Sequence, residues 1–367
     1  MNSKERILSV DVLRGFDMFW LIGGTGLALA IVKMFGQGVQ NVLLPQLDHA
    51  NWIGFTFYDL IFPLFEFVMG MSIIFSLSGI LQKRGKVAAY KRLLRRFILL
   101  FVLGIIYYGG ISGGYADVRI FGVLQRLAVT YLLAGILFIH LKPMGLIITS
   151  VIILLAYWIL NVFVPVPGTG IVSMTVESNW AQYIDSIWLP GRKFDGNGTW
   201  DVNGILSTFP ATVSCVLGIF ASFILLDKKV NDIKKVYYLA GLGITLLVIG
   251  LIGSASFPVI KKIWSSTYVL VAGGLSFMLM GLFYWIIDVR GYKKWTLIFV
   301  WIGVNPITIY MLRKLMDFNK IATYIVGGTT DLHSPDTWGY LLVMAVSTLL
   351  SLLLLRFLYN NKIFIKV

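Results

Sequence analysis

The chain has 367 residues, 58% of them hydrophobic and only 13% charged, with a mean hydropathy of +0.83. Soluble domains carry about 25% charged residues, so a soluble globular fold is excluded and a polytopic membrane protein is expected. The formal charge of +14 fits basic cytoplasmic loops rather than nucleic-acid binding, and the single cysteine, Cys215, precludes an internal disulfide.

In chain order, apolar runs of about 20 residues predict an all-α bundle of about ten transmembrane helices. They lie near 16–35, 54–79, 97–116, 118–139, 144–164, 204–226, 236–256, 267–287, 296–312 and 338–356. The third and fourth are separated by the Gly-rich turn "GGISGGYADV". Residues 1–367 then form a single transmembrane domain with an outer loop at about 165–203. No cleavable signal peptide is expected, because the first apolar run follows "RILSVDVLRG" without a small-residue cleavage site.

An even count places both termini on one side, and the basic residues choose that side. One set of segments holds Lys4, Arg6, Lys83, Arg84, Lys86, Lys142, Lys228, Lys229, Lys293, Lys294, Lys362 and Lys366. The opposite segments hold Arg119, Arg192, Lys193, Lys261, Lys262 and Lys320, with Arg313 near a helix end. Both termini are therefore expected in the cytoplasm, with His49 outside, in a multi-pass protein of a bacterial cytoplasmic (inner) membrane.

Ionisable residues within spans are few: Asp17, Asp59, Glu66 and Arg126, with Lys33 near the outer end of the first helix. Each costs roughly 2.5 kcal/mol or more to insert, so the default inference is an inward-facing site or path. Asp59 and Arg126 are expected at similar depth in the outer half of the membrane, where they can neutralise each other. Such a pair serves either a site or only the bundle. Pro63 is expected to bend the second helix beside Asp59. Glu66 either extends a polar cavity or leans on backbone and Ser72. Asp17 reads as a solvated interfacial pair with Arg14.

Of the three histidines, His140 falls at a cytoplasmic helix end and His333 in a solvated outer loop. His49 differs. It stands between Asp48 and Trp52, just before a helix that carries a carboxylate. An imidazole there can move a proton near neutral pH or attack an acyl group; a structural or interfacial histidine is the plainer alternative. No metal-ligand spacing, P-loop or Gly-x-Ser-x-Gly elbow is present.

Five stretches, in order, carry a family resemblance: "RILSVDVLRGFDMF", "LDHANWIGFTFYDLIFPLFEFVMGMSI", "RIFGVLQRLAVTY", "FDGNGTWDVNGILSTFPATVSCVLG" and "FPVIKKIWSSTYVL" with "GVNPITIY". The chain resembles the transmembrane catalytic part of the heparan-α-glucosaminide N-acetyltransferase family. The resemblance implies transfer of an acetyl group from cytosolic acetyl-CoA to an amino sugar or glycan on the outer side. It also implies a homodimer in lipid, while the scattered histidines and single cysteine give no reason to expect a metal. The family's catalytic histidine matches His49, and the carboxylate ten residues on matches Asp59; Asp48 is the other group placed to orient the ring. Arg126, Gln125, Asn305 and Arg14 are the expected contacts to the acetyl-CoA donor, Arg126 or Asn305 steadying charge on the thioester oxygen. The family's late asparagine in the first helix falls at Thr25, a departure. A proton-coupled transporter of a small solute is the competing reading.

Overall fold

The structure, a computed structural model, describes residues 7–111, 114–194, 199–327, 334 and 337–364. Lys4, Arg6, His333 and Lys366, named above, lie outside them. The described residues form helices and loops, with one isolated β-bridge between Arg119 and Gly191. Among them, eight helices are long and apolar enough to cross a membrane, or nine if the bent pair Lys294–Val304 and Pro306–Leu315 is one span.

Every expected apolar stretch overlaps a helix, but bounds and division differ: 97–116 leaves its helix after Tyr107 and includes 112–113, which lie outside the described residues, and 118–139 turns helical only at Val123. The first helix, Leu8–Lys33, starts well before residue 16, because Ser9, Asp11 and Arg14 are polar yet lie on inward-facing turns. The second and third expected spans fall in one helical run, Phe57–Tyr107, of 51 residues. A straight helix of that length would measure about 76 Å, more than twice a hydrocarbon core. It is not straight. Ser76 Oγ lies 3.4 Å from the Tyr131 hydroxyl, and the Arg96 guanidinium lies 4.2 Å over the same ring. Along a straight helix those two positions would be about 30 Å apart. The chain folds back at Gly85, whose φ of 74° and ψ of −178° break the helix; only glycine adopts that backbone cheaply. The run is thus a helical hairpin.

The contacts divide the chain into two compact units. One comprises Asn51–Phe55 and Phe62–Gly281. Within it, helix Val123–His140 lies against both hairpin arms. Gly104 and Tyr90 of the second arm meet Gln125 and His140, so that arm runs antiparallel to it. Arg126 reaches Ser207, and Phe138 packs on Phe223 at 6.3 Å, so helix Thr208–Leu226 runs parallel. Glycines let backbones touch. A Cβ on Gly70 would sit 1.8 Å from the Cys215 carbonyl oxygen, and one on Gly218 1.8 Å from that of Phe67. Such close approach replaces the hydrophobic drive that lipid removes.

This unit has two unlike ends. Gly85, His140 and Leu226 mark one, with Lys83, Arg84, Lys86, Lys142, Lys228 and Lys229 beside them in the chain. The other gathers the loops. There Arg119 forms a bidentate pair with Asp201 (2.7 and 2.8 Å), buried between the Tyr108 and Phe194 rings. Trp52 Nε1 donates to Met174 O at 2.8 Å, and its ring meets Trp200. The expected loop 165–203 carries a short helix, Trp180–Trp188, whose N-cap Asn179 accepts from Gln182 N at 2.8 Å.

The second unit comprises Ile7–Ala50, Thr56–Ile61 and Leu282–Val367. Its first helix packs closely on Leu297–Val304: a Cβ on Gly15 would lie 1.8 Å from Phe299 O. Halfway along, the first helix widens into a π turn at Trp20–Gly24, with Gly23 at φ 151°. Thr25 Oγ1 donates to Trp20 O at 2.9 Å, and Arg313 Nη1 donates to Ile22 O and, at 3.1 Å, to Ser351 Oγ. Asn305 and Pro306 break the pair of helices at 67°.

The glycine contacts predict that Gly70→Ala and Gly218→Ala each destabilise the protein by about 1–3 kcal/mol through overpacking. Gly241→Ala, with open space around its Cβ, leaves the midpoint unchanged or higher. Thermal unfolding of detergent-solubilised protein measures the difference.

Candidate active site

Asp59 is fully buried. It lies not inside the second helix, as the sequence suggests, but in the short 3₁₀ turn Phe57–Leu60 that opens it. Thr56 is the N-cap: the Asp59 side chain accepts from Thr56 N at 3.1 Å, closing a reciprocal capping box. Asp59 Oδ2 also accepts from Ala50 N at 3.2 Å. Thr56 Oγ1 lies 3.1 Å from the same oxygen and 2.7 Å from Asp48 O, joining the two sides of the loop. Gln46 Oε1 accepts from Phe57 N at 3.0 Å. Pro63 falls in the first turn of the α-helix beginning at Ile61, where its missing N–H costs nothing. Within Ile61–Tyr107 the break in helical backbone falls at Gly85, not at Pro63.

The other carboxylate oxygen, Oδ1, lies 2.9 Å from His49 Nδ1. With the carboxylate ionised, Nδ1–H donates, and the imidazole lone pair sits on Nε2. The His49 side chain is 46% exposed while its partner is wholly buried. The Tyr58 ring lies 4.7 Å from the imidazole, tilted by 35°. Such a carboxylate fixes the ring's tautomer and stabilises its protonated form, as in catalytic triads generally. Asp48 is exposed and accepts from the His49 backbone N–H at 2.7 Å. It shapes the loop, and Asp59 orients the ring.

The other expected residues form two further groups. Arg14 and Asn305 lie in one neighbourhood of the second unit. Arg14 Nη1 is 3.4 Å from both Asp11 Oδ1 and Gly303 O, and Asn305 Nδ2 donates to Ile363 O at 3.0 Å. Gln125 and Arg126 belong to the other unit. Gln125 accepts from Gly122 N at 3.2 Å and donates to Arg119 O at 3.5 Å, so its amide is spent on the helix start.

Arg126 is fully buried. It donates to Ser207 Oγ and lies 4.7 Å over the Trp264 ring. The expected pairing with Asp59 is not made: Nη2 goes to Ser207, and Nε and Nη1 have no hydrogen-bond partner. Glu66 is itself fully buried, and neither of its oxygens has a hydrogen-bond partner. It leans on neither backbone nor Ser72. Asp17 is also corrected. It is wholly buried and without a hydrogen-bond partner, while Arg14 reaches Asp11 instead.

Sequence reasoning passed over Thr56, Asp185 and the Arg119–Asp201 pair. The spacing Thr56-x-x-Asp59 is a capping-box pattern and was legible. Asp185 lies in the loop-side helix, with Oδ1 accepting from Ile205 N at 2.9 Å and Oδ2 from Asp201 N at 3.2 Å. Burial pushes its carboxyl up to about 6, against the lowering effect of those two bonds.

The fold and the dyad define a multi-pass membrane protein with a carboxylate-supported histidine at the mouth of a helix. That histidine loop lies within the part of the chain that matches a known family. The chain belongs to the family described as "Heparan-alpha-glucosaminide N-acetyltransferase, catalytic", which it matches over residues 6–253. It is 27% identical to the mouse (Mus musculus) heparan-alpha-glucosaminide N-acetyltransferase, with 100% of this chain and 61% of the relative covered. Against the human (Homo sapiens) protein of the same name it is 28% identical over 99% of this chain and 60% of the relative. The chain thus spans about three fifths of the length of these curated relatives.

Two predictions follow from this geometry. Replacing Asp59 by Ala strands the partly buried amides of Ala50 and Thr56 and lowers unfolding stability by about 1–3 kcal/mol, while Asp48→Ala leaves the midpoint in place. Asp185, raised above its ordinary 3.8, favours folding most when protonated. Its contribution is full below that value and is lost as pH rises to about 6. The unfolding free energy should therefore fall as pH rises from 3.8 to about 6, by a component on the order of 3 kcal/mol, and Asp185→Asn should flatten that slope.

Proposed function

We propose that this protein is a transmembrane acetyltransferase that moves an acetyl group from cytosolic acetyl-CoA to an amine on the outer side, on an amino sugar or glycan with a terminal glucosamine. The His49–Asp59 dyad, in a chain of this family, is the observation that carries the reading. His49 Nε2 takes a proton from the acceptor amine as the nitrogen attacks the thioester carbonyl. Asp59 balances the imidazolium that forms. The C–S bond then breaks, the acetyl group remains on nitrogen as an amide, and the proton passes to the leaving thiolate to give free CoA. In the two-step alternative, Nε2 accepts the acetyl group first.

Ten spans with cytoplasmic termini suit this reading: the hairpin at Gly85 supplies two, and the bent pair one. The basic end of the first unit marks the cytoplasm by the positive-inside rule. Trp52, three residues after His49, is tied into the opposite, loop-bearing end, which supports an outer position for the histidine. Arg14 and Asn305, in one neighbourhood of the second unit, are the residues proposed to meet the acyl donor. A bacterial cytoplasmic membrane and a homodimer complete the proposal. The buried, unpartnered Glu66 beside Arg126 favours a second reading, proton-coupled transport of a small solute.

One assay separates them. Purified protein given acetyl-CoA and glucosamine-terminated acceptors is expected to release free CoA in step with N-acetylated product; flux of an intact solute without CoA release would support transport. His49→Ala should lower turnover by 10²-fold or more with the fold intact, and full activity in that variant would remove His49 from the mechanism. Mass spectrometry after acetyl-CoA alone assigns the two-step route if His49 is acetylated and direct transfer if it is not.

A further inference from the structure

The first helix carries a polar feature that the dyad does not use. Asp17 has no solvent exposure, and both its oxygens lack a hydrogen-bond partner. Three residues on, and so on an adjoining part of the same helix face, the buried indole Nε1 of Trp20 also lacks one. An unpaired buried carboxylate is among the costlier things a fold can hold, and more so in a span. Nearly all buried polar groups are satisfied, and the described residues satisfy neither of these.

The wall that bears them is held in place. Trp20 opens the π turn, Thr25 donates to its carbonyl from both backbone N–H and, at 2.9 Å, Oγ1, and Arg313 donates to the carbonyl of Ile22 within the turn. π turns of this kind occur often at functional sites. The front of the wall meets the dyad's loop. The Trp20 ring stands edge-on to Phe57, with centroids 4.8 Å apart and planes at 74°, and Phe57 belongs to the same short turn as Asp59.

We propose that Asp17 and Trp20 form a substrate subsite beside the His49–Asp59 dyad, taking a group that both donates and accepts hydrogen bonds, as an amide or hydroxyl does. An N–H or O–H of the ligand is directed to the Asp17 carboxylate, and an oxygen accepts from Trp20 Nε1–H. Acetyl-CoA offers such groups in its pantetheine amides and hydroxyl, and a sugar acceptor offers them in its hydroxyls. The choice of these two sources rests on the acetyltransferase reading; the unmet hydrogen bonds do not.

Asp17→Leu tests it in the full chain, because a binding role and a structural role move stability in opposite directions. Removing an unsatisfied carboxylate from an apolar site leaves the ligand-free unfolding midpoint unchanged or higher. The same change raises one KM by about tenfold or more, the loss expected for a hydrogen bond to a charged group. A raised KM for acetyl-CoA alone assigns the subsite to the donor, and a raised KM for the glucosamine acceptor alone assigns it to the acceptor. Trp20→Phe, which keeps the ring against Phe57, shifts the same KM by a smaller factor, and Asp17→Asn falls between wild type and leucine. A midpoint that drops by several degrees in Asp17→Leu, or two unchanged KM values beside an active wild type, overturns the subsite. A wild-type protein that releases no CoA overturns the acetyltransferase reading instead, and the ligand-free midpoint of Asp17→Leu still decides whether Asp17 is structural.

Discussion

A fully buried carboxylate at the start of a membrane helix must be surrounded by donors, and Asp59 is. Thr56 N, Ala50 N and the His49 ring all point at it. Each bond to a charged acceptor contributes about 1.5–3 kcal/mol, enough together to offset the cost of taking the charge from water. The same bonds fix the loop, because their donors come from both sides of it. The helix start, the loop's path and the orientation of the imidazole are therefore one interaction seen from three directions. Altering any of them moves the others, and the half-exposed ring can only be presented in one way.

The rest of the fold makes such a site possible by closing backbones tightly elsewhere. In lipid, helices gain little from hiding apolar surface from one another, so contact depends on small residues. Gly70 against Cys215, Gly218 against Phe67, and Gly15 against Phe299 bring main chains together where any side chain would intrude. Close helices leave few voids, and the polar groups among them must meet within short reach. The Arg119–Asp201 pair, stacked between two rings, shows what a fully met buried charge looks like in this molecule.

How much of this the sequence revealed depends on the range of the forces involved. Lipid demands apolar length, so the helical character of the apolar stretches was legible, including the two that turn out to be arms of one hairpin. Their junction at Gly85 was not, since a single glycine in a charged segment reads as loop. The capping pattern Thr56-x-x-Asp59 is local and could be seen, and so could the pairing of His49 with a carboxylate ten residues on. Arg14 shows where local reasoning stops. Asp11 and Asp17 both lie three residues from it, and helix geometry alone favours neither. The packing against Gly303 turns Arg14 to Asp11 and leaves Asp17 inside. Likewise nothing near Arg313 in sequence announces Ile22, since their meeting depends on a π turn and on distant helices.

The buried polar groups therefore sort by whether the chain meets their needs. Asp59, Arg119, Asp201 and Asp185 are met, and each fixes a loop or a ring. Glu66, part of Arg126, Asp17 and the Trp20 indole are not. Glu66 and Arg126 are opposite charges buried in the same unit, with no hydrogen bond between them. Asp17 is wholly buried with no hydrogen bond to either oxygen. A fold selected for stability would replace that carboxylate with an apolar side chain of similar volume, as isolated buried charges generally allow. Departures from local consistency of this kind concentrate where function is placed. The two carboxylates thus differ in one physical respect, on elements that meet through Trp20 and Phe57: several donors of the chain hold Asp59, and none holds Asp17.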